Sequence, residues 1–218
     1  APFLATAILS LLNAAYGFFV LPESHPRELR KKFELKTTHA LASLMALREH
    51  PAILRLAGVL TLERLAHDAL PSTWVLYTTH RFNWTPKQNG LSLGLVGISF
   101  AVISGFLTGR IVKSLGERRT LIAGMAVGAL TFFAYGFATQ GWMLYVAIVI
   151  GSIGGVAGPA LQAIITKLTP PRDHGSVQGA VASIQSFAAI AGPLLATNLF
   201  AWFTSDKTLI ALPGAAFI

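Results

Sequence analysis

Four ionisable residues stand within six positions of an otherwise apolar stretch: Glu63, Arg64, His67 and Asp68. A charge held at mid-membrane depth costs at least about 2.5–3.5 kcal/mol per group on insertion scales, so something must compensate. The spacing offers it, because Glu63 with His67 and Arg64 with Asp68 are each four apart and can meet on one face of a helix. On one reading the cluster is a self-neutralised structural network. On the other, Asp68 or Glu63 faces a wet cavity and exchanges a proton as a substrate moves, the default role of an ionisable group inside a membrane. Histidine ordinarily titrates near neutral pH, so His67 is either part of that relay or a hydrogen-bonding bystander.

A second constellation is a short cationic connection. Gly109 and Gly116 frame Arg110 and Lys113, and Glu117, Arg118 and Arg119 follow at once. It reads as a plain turn carrying topogenic charge, or as a latch in which the arginines bond helix C-terminal carbonyls or a carboxylate on a neighbouring helix. Other chemistries lack their residues. There is no cysteine, and the six histidines include no HExxH pairing, so no metal site or cofactor is expected. Gly90-Leu91-Ser92-Leu93-Gly94 spells the GxSxG nucleophile elbow, but that motif needs a preceding buried strand in a soluble sheet. The glycines from Gly151 to Gly158 come without a phosphate-loop lysine or the GxGxxG order. No nucleophile and base converge at one depth, and the chain is not expected to be an enzyme.

The elements that must position these residues are membrane helices. Hydrophobic residues make up 53% of the 218 and charged ones 12%, against roughly 25% charged in an average soluble domain. Apolar runs of about twenty residues, enough to span a bilayer as helix, predict spans over 1–21, 52–79, 89–112, 119–139, 142–167 and 176–204, with the start of another over 209–218. A polar linker over 22–51 separates the first two. The 47 residues from Thr120 to Thr166 contain no Asp, Glu, Lys or Arg. That length is two spans, broken at Thr139-Gln140-Gly141, with Trp142 and Tyr145 beyond as interfacial anchors. The opening run lacks a basic head, carries Pro2 and is followed by further spans, so it is not read as a signal peptide. A chain starting at Ala1 and stopping at Ile218 inside an apolar stretch is read as a fragment.

Loop cations orient the bundle. The 22–51 linker holds Arg27, Arg30, Lys31, Lys32, Lys36 and Arg48, the Gly116 connection four more, and the loop around Pro171 holds Lys167 and Arg172. The opposite side has only Arg81, Lys87 and Lys207. Twelve against three makes the long linker cytoplasmic. Cations so distributed form no nucleic-acid patch, and the net charge of +8 reflects topology. The expected partner is the lipid bilayer. Glycines recur four apart (Gly105 with Gly109, Gly124 with Gly128, Gly151 with Gly155, Gly154 with Gly158), a spacing that lets membrane helices approach closely. Gly158-Pro159 and Gly192-Pro193 lie inside spans, where neighbouring helices can satisfy the freed carbonyls, and mark bending points.

Gly109 to Arg119 resembles the second copy of the signature cytoplasmic loop of the major facilitator superfamily, G-x-[LIV]-x-[DKR]-x-x-G-x-[RK]-[RK]. Trp74-Val75-Leu76-Tyr77, Arg81-Phe82-x-Trp84, Gly158-Pro159-Ala160-Leu161-Gln162 and Gly192-Pro193-Leu194-Leu195 are similar to the C-terminal half of its tetracycline/proton antiporter branch, with Ala1-Pro2-Phe3 heading a sixth helix and Pro22-Glu23-Ser24 closing it. The resemblance implies an all-α, polytopic bundle running from the sixth helix to the start of the twelfth, completed by a missing N-terminal half. It also implies a multi-pass protein of the bacterial inner membrane that exports a small amphiphilic drug against protons. The seventh and tenth helices would line the cavity, placing Asp68 and Gln162 there. Where the tetracycline pumps carry a histidine and a glutamine in helix eight and an aspartate in helix nine, this chain has Phe100, Ser104 and Gly128. The expected substrate is therefore not tetracycline itself, with Glu63, His67 and Asp68 taking over the missing polar work. The competing expectation is a truncated or inactive membrane protein that does not transport.

Overall fold

A computed structural model of the chain describes residues 2–20, 51–205 and 212–218. The linker charges from Arg27 to Arg48, and Lys207, lie outside the described residues. Two units are distinct. In the first, residues Pro2–Val20 form helix α1, whose side chains from Leu11 to Val20 are almost all exposed and mostly apolar.

The second unit holds α2 (Pro51–Phe82), α3 (Pro86–Leu115), α4 (Glu117–Phe137), α5 (Gly141–Leu168) and α6 (His174–Phe203). Local chemistry sets their ends. Asn83, with φ 52°, turns the chain between α2 and α3. Helix α3 then starts earlier than the expected 89 because Thr85 and Gln88 form a capping box and Pro86 occupies the first turn. A single residue, Gly116 at φ 78°, separates α3 from α4, a left-handed conformation that glycine adopts without penalty. Helix α3 contains a π-helical turn, Ile103–Leu107, and α5 a 3-10 turn, Ile153–Val156. Proline is also internal to α2, at Pro71.

Helices α3 to α6 are each long and apolar enough to cross a membrane. The molecule is a multi-pass membrane protein. Helix α2 falls short on composition, since Arg55, Glu63, Arg64 and Asp68 crowd it; at 32 residues it is about 48 Å long, ample to span. It lies along α6, while α5 packs against both α3 and α4. Two buried clusters hold the bundle. Towards the Gly116 end, Ile53, Ala57 and Leu60 meet Leu121, Ala157, Leu161, Ile165 and Val177. Towards the Trp84 end, Trp74, Tyr77 and Trp84 meet Tyr135, Leu144, Ile148 and Phe217.

Small residues bring α4 and α5 together. A Cβ on Gly124 would lie 3.0 Å from the Ala157 Cβ, and one on Gly154 would lie 3.0 Å from the Gly124 carbonyl oxygen. Gly105 and Gly109 make no such crossing among the described residues, as a Cβ on either would meet nothing within 4 Å. The expected helix over 209–218 also differs. Residues 212–218 form a turn and a short 3-10 segment, Ala215–Phe217. Pro213-Gly214 is a poor helix former, and folding back seats Phe217 edge-on against Trp74, Tyr77 and Tyr135. Tyr145, expected at the membrane interface, stacks on Trp84 with ring centroids 5.0 Å apart and donates to the Gln88 carbonyl at 3.2 Å. Trp142 is exposed.

Candidate functional site in the middle of α2

Helix α2 carries its ionisable cluster at half-length. At 1.5 Å per residue, Glu63 and Asp68 both fall within about 5 Å of its midpoint. The expected pairs do not both form. Arg64 donates through Nε to Asp68 Oδ2 at 3.1 Å, with the Asp68 side chain 14% exposed and that of Arg64 46%. Glu63 and His67 form no hydrogen bond with one another; Glu63 turns towards neighbouring helices and His67 outwards to an exposed position. A four-residue spacing permits a pair, but rotamers and neighbours decide it.

Helix α6 packs closely beside the base of the Asp68 side chain. Gly192 of α6 is buried, and a Cβ there would come 3.2 Å from the Asp68 Cβ and 3.1 Å from the Leu65 carbonyl oxygen. The Gly192-Pro193 pair therefore marks a close approach of α6 to the acidic turn of α2. Helix α6 runs through Pro193 without interruption. Glu63 occupies a different setting: it borders a recess walled by Leu121 and Met125 of α4 and by Ala157, Gly158 and Leu161 of α5. Pro159, next to Gly158, is exposed.

Gln162 of α5 donates through Nε2 to Oε1 of Gln178 on α6, 2.8 Å away. Gln178 is not among the residues that the sequence singles out. Its partner lies 16 positions away across a turn, beyond the reach of local periodicity.

The cationic connection differs from an arginine latch. Its acid, Glu117, pairs with Lys167 at the end of α5, Oε1 to Nζ 2.7 Å. Arg110 donates to the Phe106 carbonyl of its own helix at 2.6 Å. Lys113, Arg118 and Arg119 are exposed. A lysine rather than an arginine reaches the carboxylate because the tight Gly116 turn starts α4 beside the end of α5.

Ser92 is structural. It is fully buried, accepts from Trp74 Nε1 at 2.9 Å and donates to the Asn89 carbonyl at 2.8 Å. Nearby, Thr78 donates to Asn89 Oδ1 at 2.6 Å, Tyr77 donates to the Tyr135 carbonyl, and Arg81 Nε donates to the Ala138 carbonyl at 2.8 Å, just past the end of α4. The sequence motifs contain Trp74, Tyr77, Arg81 and Ser92 but do not join them to one another in this knot. Its signal is polar residues at i, i+3 and i+4 spacing on the facing ends of α2 and α3.

Comparison with known proteins places these features in a family. A model of the Major Facilitator Superfamily matches residues 56–218. The class C tetracycline resistance protein of Escherichia coli is 35% identical over 217 residues, covering 99% of this chain and 54% of that protein. The class G protein of Vibrio anguillarum is 34% identical over 208 residues, 92% of this chain and 51% of the relative. Among solved structures, the human organic anion transporter MFSD10 (TETRAN) superposes with a TM-score of 0.80 at 22% identity, over 96% of this chain and 52% of that one. The chain thus spans about half the length of the relatives it matches.

Proposed function

The chain belongs to the Major Facilitator Superfamily, and on that premise we propose that the protein built on it is a secondary active transporter that exports a small amphiphilic drug in exchange for protons. The observation that carries this reading is the half-buried carboxylate pair at the midpoint of α2, Glu63 and Asp68, in a bundle otherwise fitted to lipid. Ionisable groups at that depth mark ion and proton pathways. The similarity to tetracycline resistance proteins supports export of a drug. Phe100, Ser104 and Gly128, standing where that branch carries histidine, glutamine and aspartate, favour a substrate other than tetracycline. The paired amides of Gln162 and Gln178 offer hydrogen-bonding groups on the substrate's path. The cations put the Gly116 end at the cytoplasmic side, and the bacterial tetracycline resistance relatives support the bacterial inner membrane as the setting.

The test uses the full-length gene product in inverted membrane vesicles. Imposing a proton gradient should drive uptake of a labelled cationic amphiphile, collapsing when a protonophore is added. Uptake no higher than in vesicles lacking the protein would favour the reading of a membrane protein that does not transport.

A further inference from the structure

Resting on that transport reading, we propose that the two carboxylates of α2 have separate jobs: Glu63 carries the exchanged proton in the recess between α2, α4 and α5, and Asp68 is a fixed counter-ion to Arg64 on the part of α2 that packs against α6. The division comes from what each group touches. Asp68 already has its charge partner, Arg64, at 3.1 Å, and the α6 backbone at Gly192 packs beside its Cβ. A carboxylate so tied would have to give up its ion pair before it could exchange a proton.

Among the described residues Glu63 has no such ties. The recess it borders is lined otherwise by Leu121, Met125, Ala157, Gly158 and Leu161, none of which offers a counter-charge. The charged and titratable groups of the surrounding elements lie elsewhere. On α4 these are Glu117, Arg118, Arg119 and Tyr135; on α5, Tyr145 and Lys167; on α6, His174. Glu117 and Lys167 are occupied with one another, and Tyr145 with Trp84 and Gln88. On α2 itself, Arg64 is taken by Asp68, and Arg55, His67 and His80 are exposed. Arg81 bonds the Ala138 carbonyl, and Tyr77 that of Tyr135.

As it stands the recess holds no space for a water molecule, so exchange of the proton with water requires that it open. The opposing wall carries the features that such an opening would use. Gly158 presents no side chain, and the space where its Cβ would stand is open. The 3-10 turn Ile153–Val156 interrupts α5 just before it, and Pro159 lacks the N–H that would stiffen the next turn. The proton is taken from water on one side as an O–H bond on the Glu63 carboxyl and returned to water on the other, with no further reactant. Each cycle of binding and release thereby biases the separation of α2 from α5.

The test is infrared difference spectroscopy on the purified full-length protein in lipid, with pH steps and substrate addition, beside transport in vesicles. The C=O band of a carboxyl that gains and loses a proton should vanish in Glu63→Gln and persist in Asp68→Asn. Glu63→Gln should lose gradient-driven uptake yet retain substrate counterflow, which needs no net proton movement. A band that survives in Glu63→Gln and is lost in Asp68→Asn, or uptake by Glu63→Gln with unchanged pH dependence, overturns the assignment and leaves the transport reading intact. A wild-type protein with the Glu63 band but no transport overturns the transport reading instead. If Glu63→Gln does not fold, Glu63→Asp decides: the band must shift with the shortened carboxyl, and an unshifted band counts against the assignment.

Discussion

The two glycines that precede the membrane prolines have different surroundings, and substitution should separate them. At Gly192, alanine would place its methyl 3.1–3.2 Å from Leu65 and Asp68 atoms that are mostly backbone or close to it. Overpacking of this kind costs about 1–3 kcal/mol, and thermal unfolding in detergent should show Gly192→Ala less stable. At Gly158 nothing lies within 4 Å, and replacing a helical glycine removes an entropic cost of roughly 0.5–1 kcal/mol. Gly158→Ala should therefore be neutral or slightly stabilising; an equal loss at both positions would contradict this difference in surroundings. Both positions share one sequence signal, Gly-Pro inside an apolar span, which cannot tell a backbone contact from an open wall.

The connections between helices follow local rules and the contacts between helices do not. Gly116 must turn the chain within one residue, and that brings Glu117 within 2.7 Å of Lys167. Because the Lys167 side chain is 69% exposed, the pair belongs to the class worth roughly 0.2–1 kcal/mol. Glu117→Gln should lower stability by no more than that, and the difference should disappear in high salt as screening grows. A large, salt-independent loss would mean that Glu117 holds something besides Lys167.

At the scale of the whole molecule, large apolar side chains are exposed throughout the described helices. Phe18, Leu62, Ile98, Leu130, Phe187 and Ile190 are each at least two-thirds exposed, far more than a protein in water presents in contiguous patches. Alkaline or high-salt washing should leave the protein in the membrane fraction, and only detergent should release it. Monodisperse protein recovered without detergent would be incompatible with the multi-pass arrangement.

Much of this protein is decided by the order of its residues. Runs of apolar residues set the membrane helices, because an unsatisfied backbone in lipid is too costly for any other form. Thr85-Pro86 and Gly116 set helix ends through contacts within a few positions. The concentration of charge between residues 63 and 68 marks the candidate site, because ionisable groups are rare at that depth. Tertiary structure decides the rest. Whether Glu63 pairs with His67 or enters a recess depends on Leu121, Met125 and Gly158, which are distant in sequence. The same holds for Asp68 against Gly192, Gln162 with Gln178 and Phe217 among the aromatic rings. Such contacts follow from how helices cross, which depends on side-chain volumes on both partners at once, and periodicity within one helix carries no record of the other.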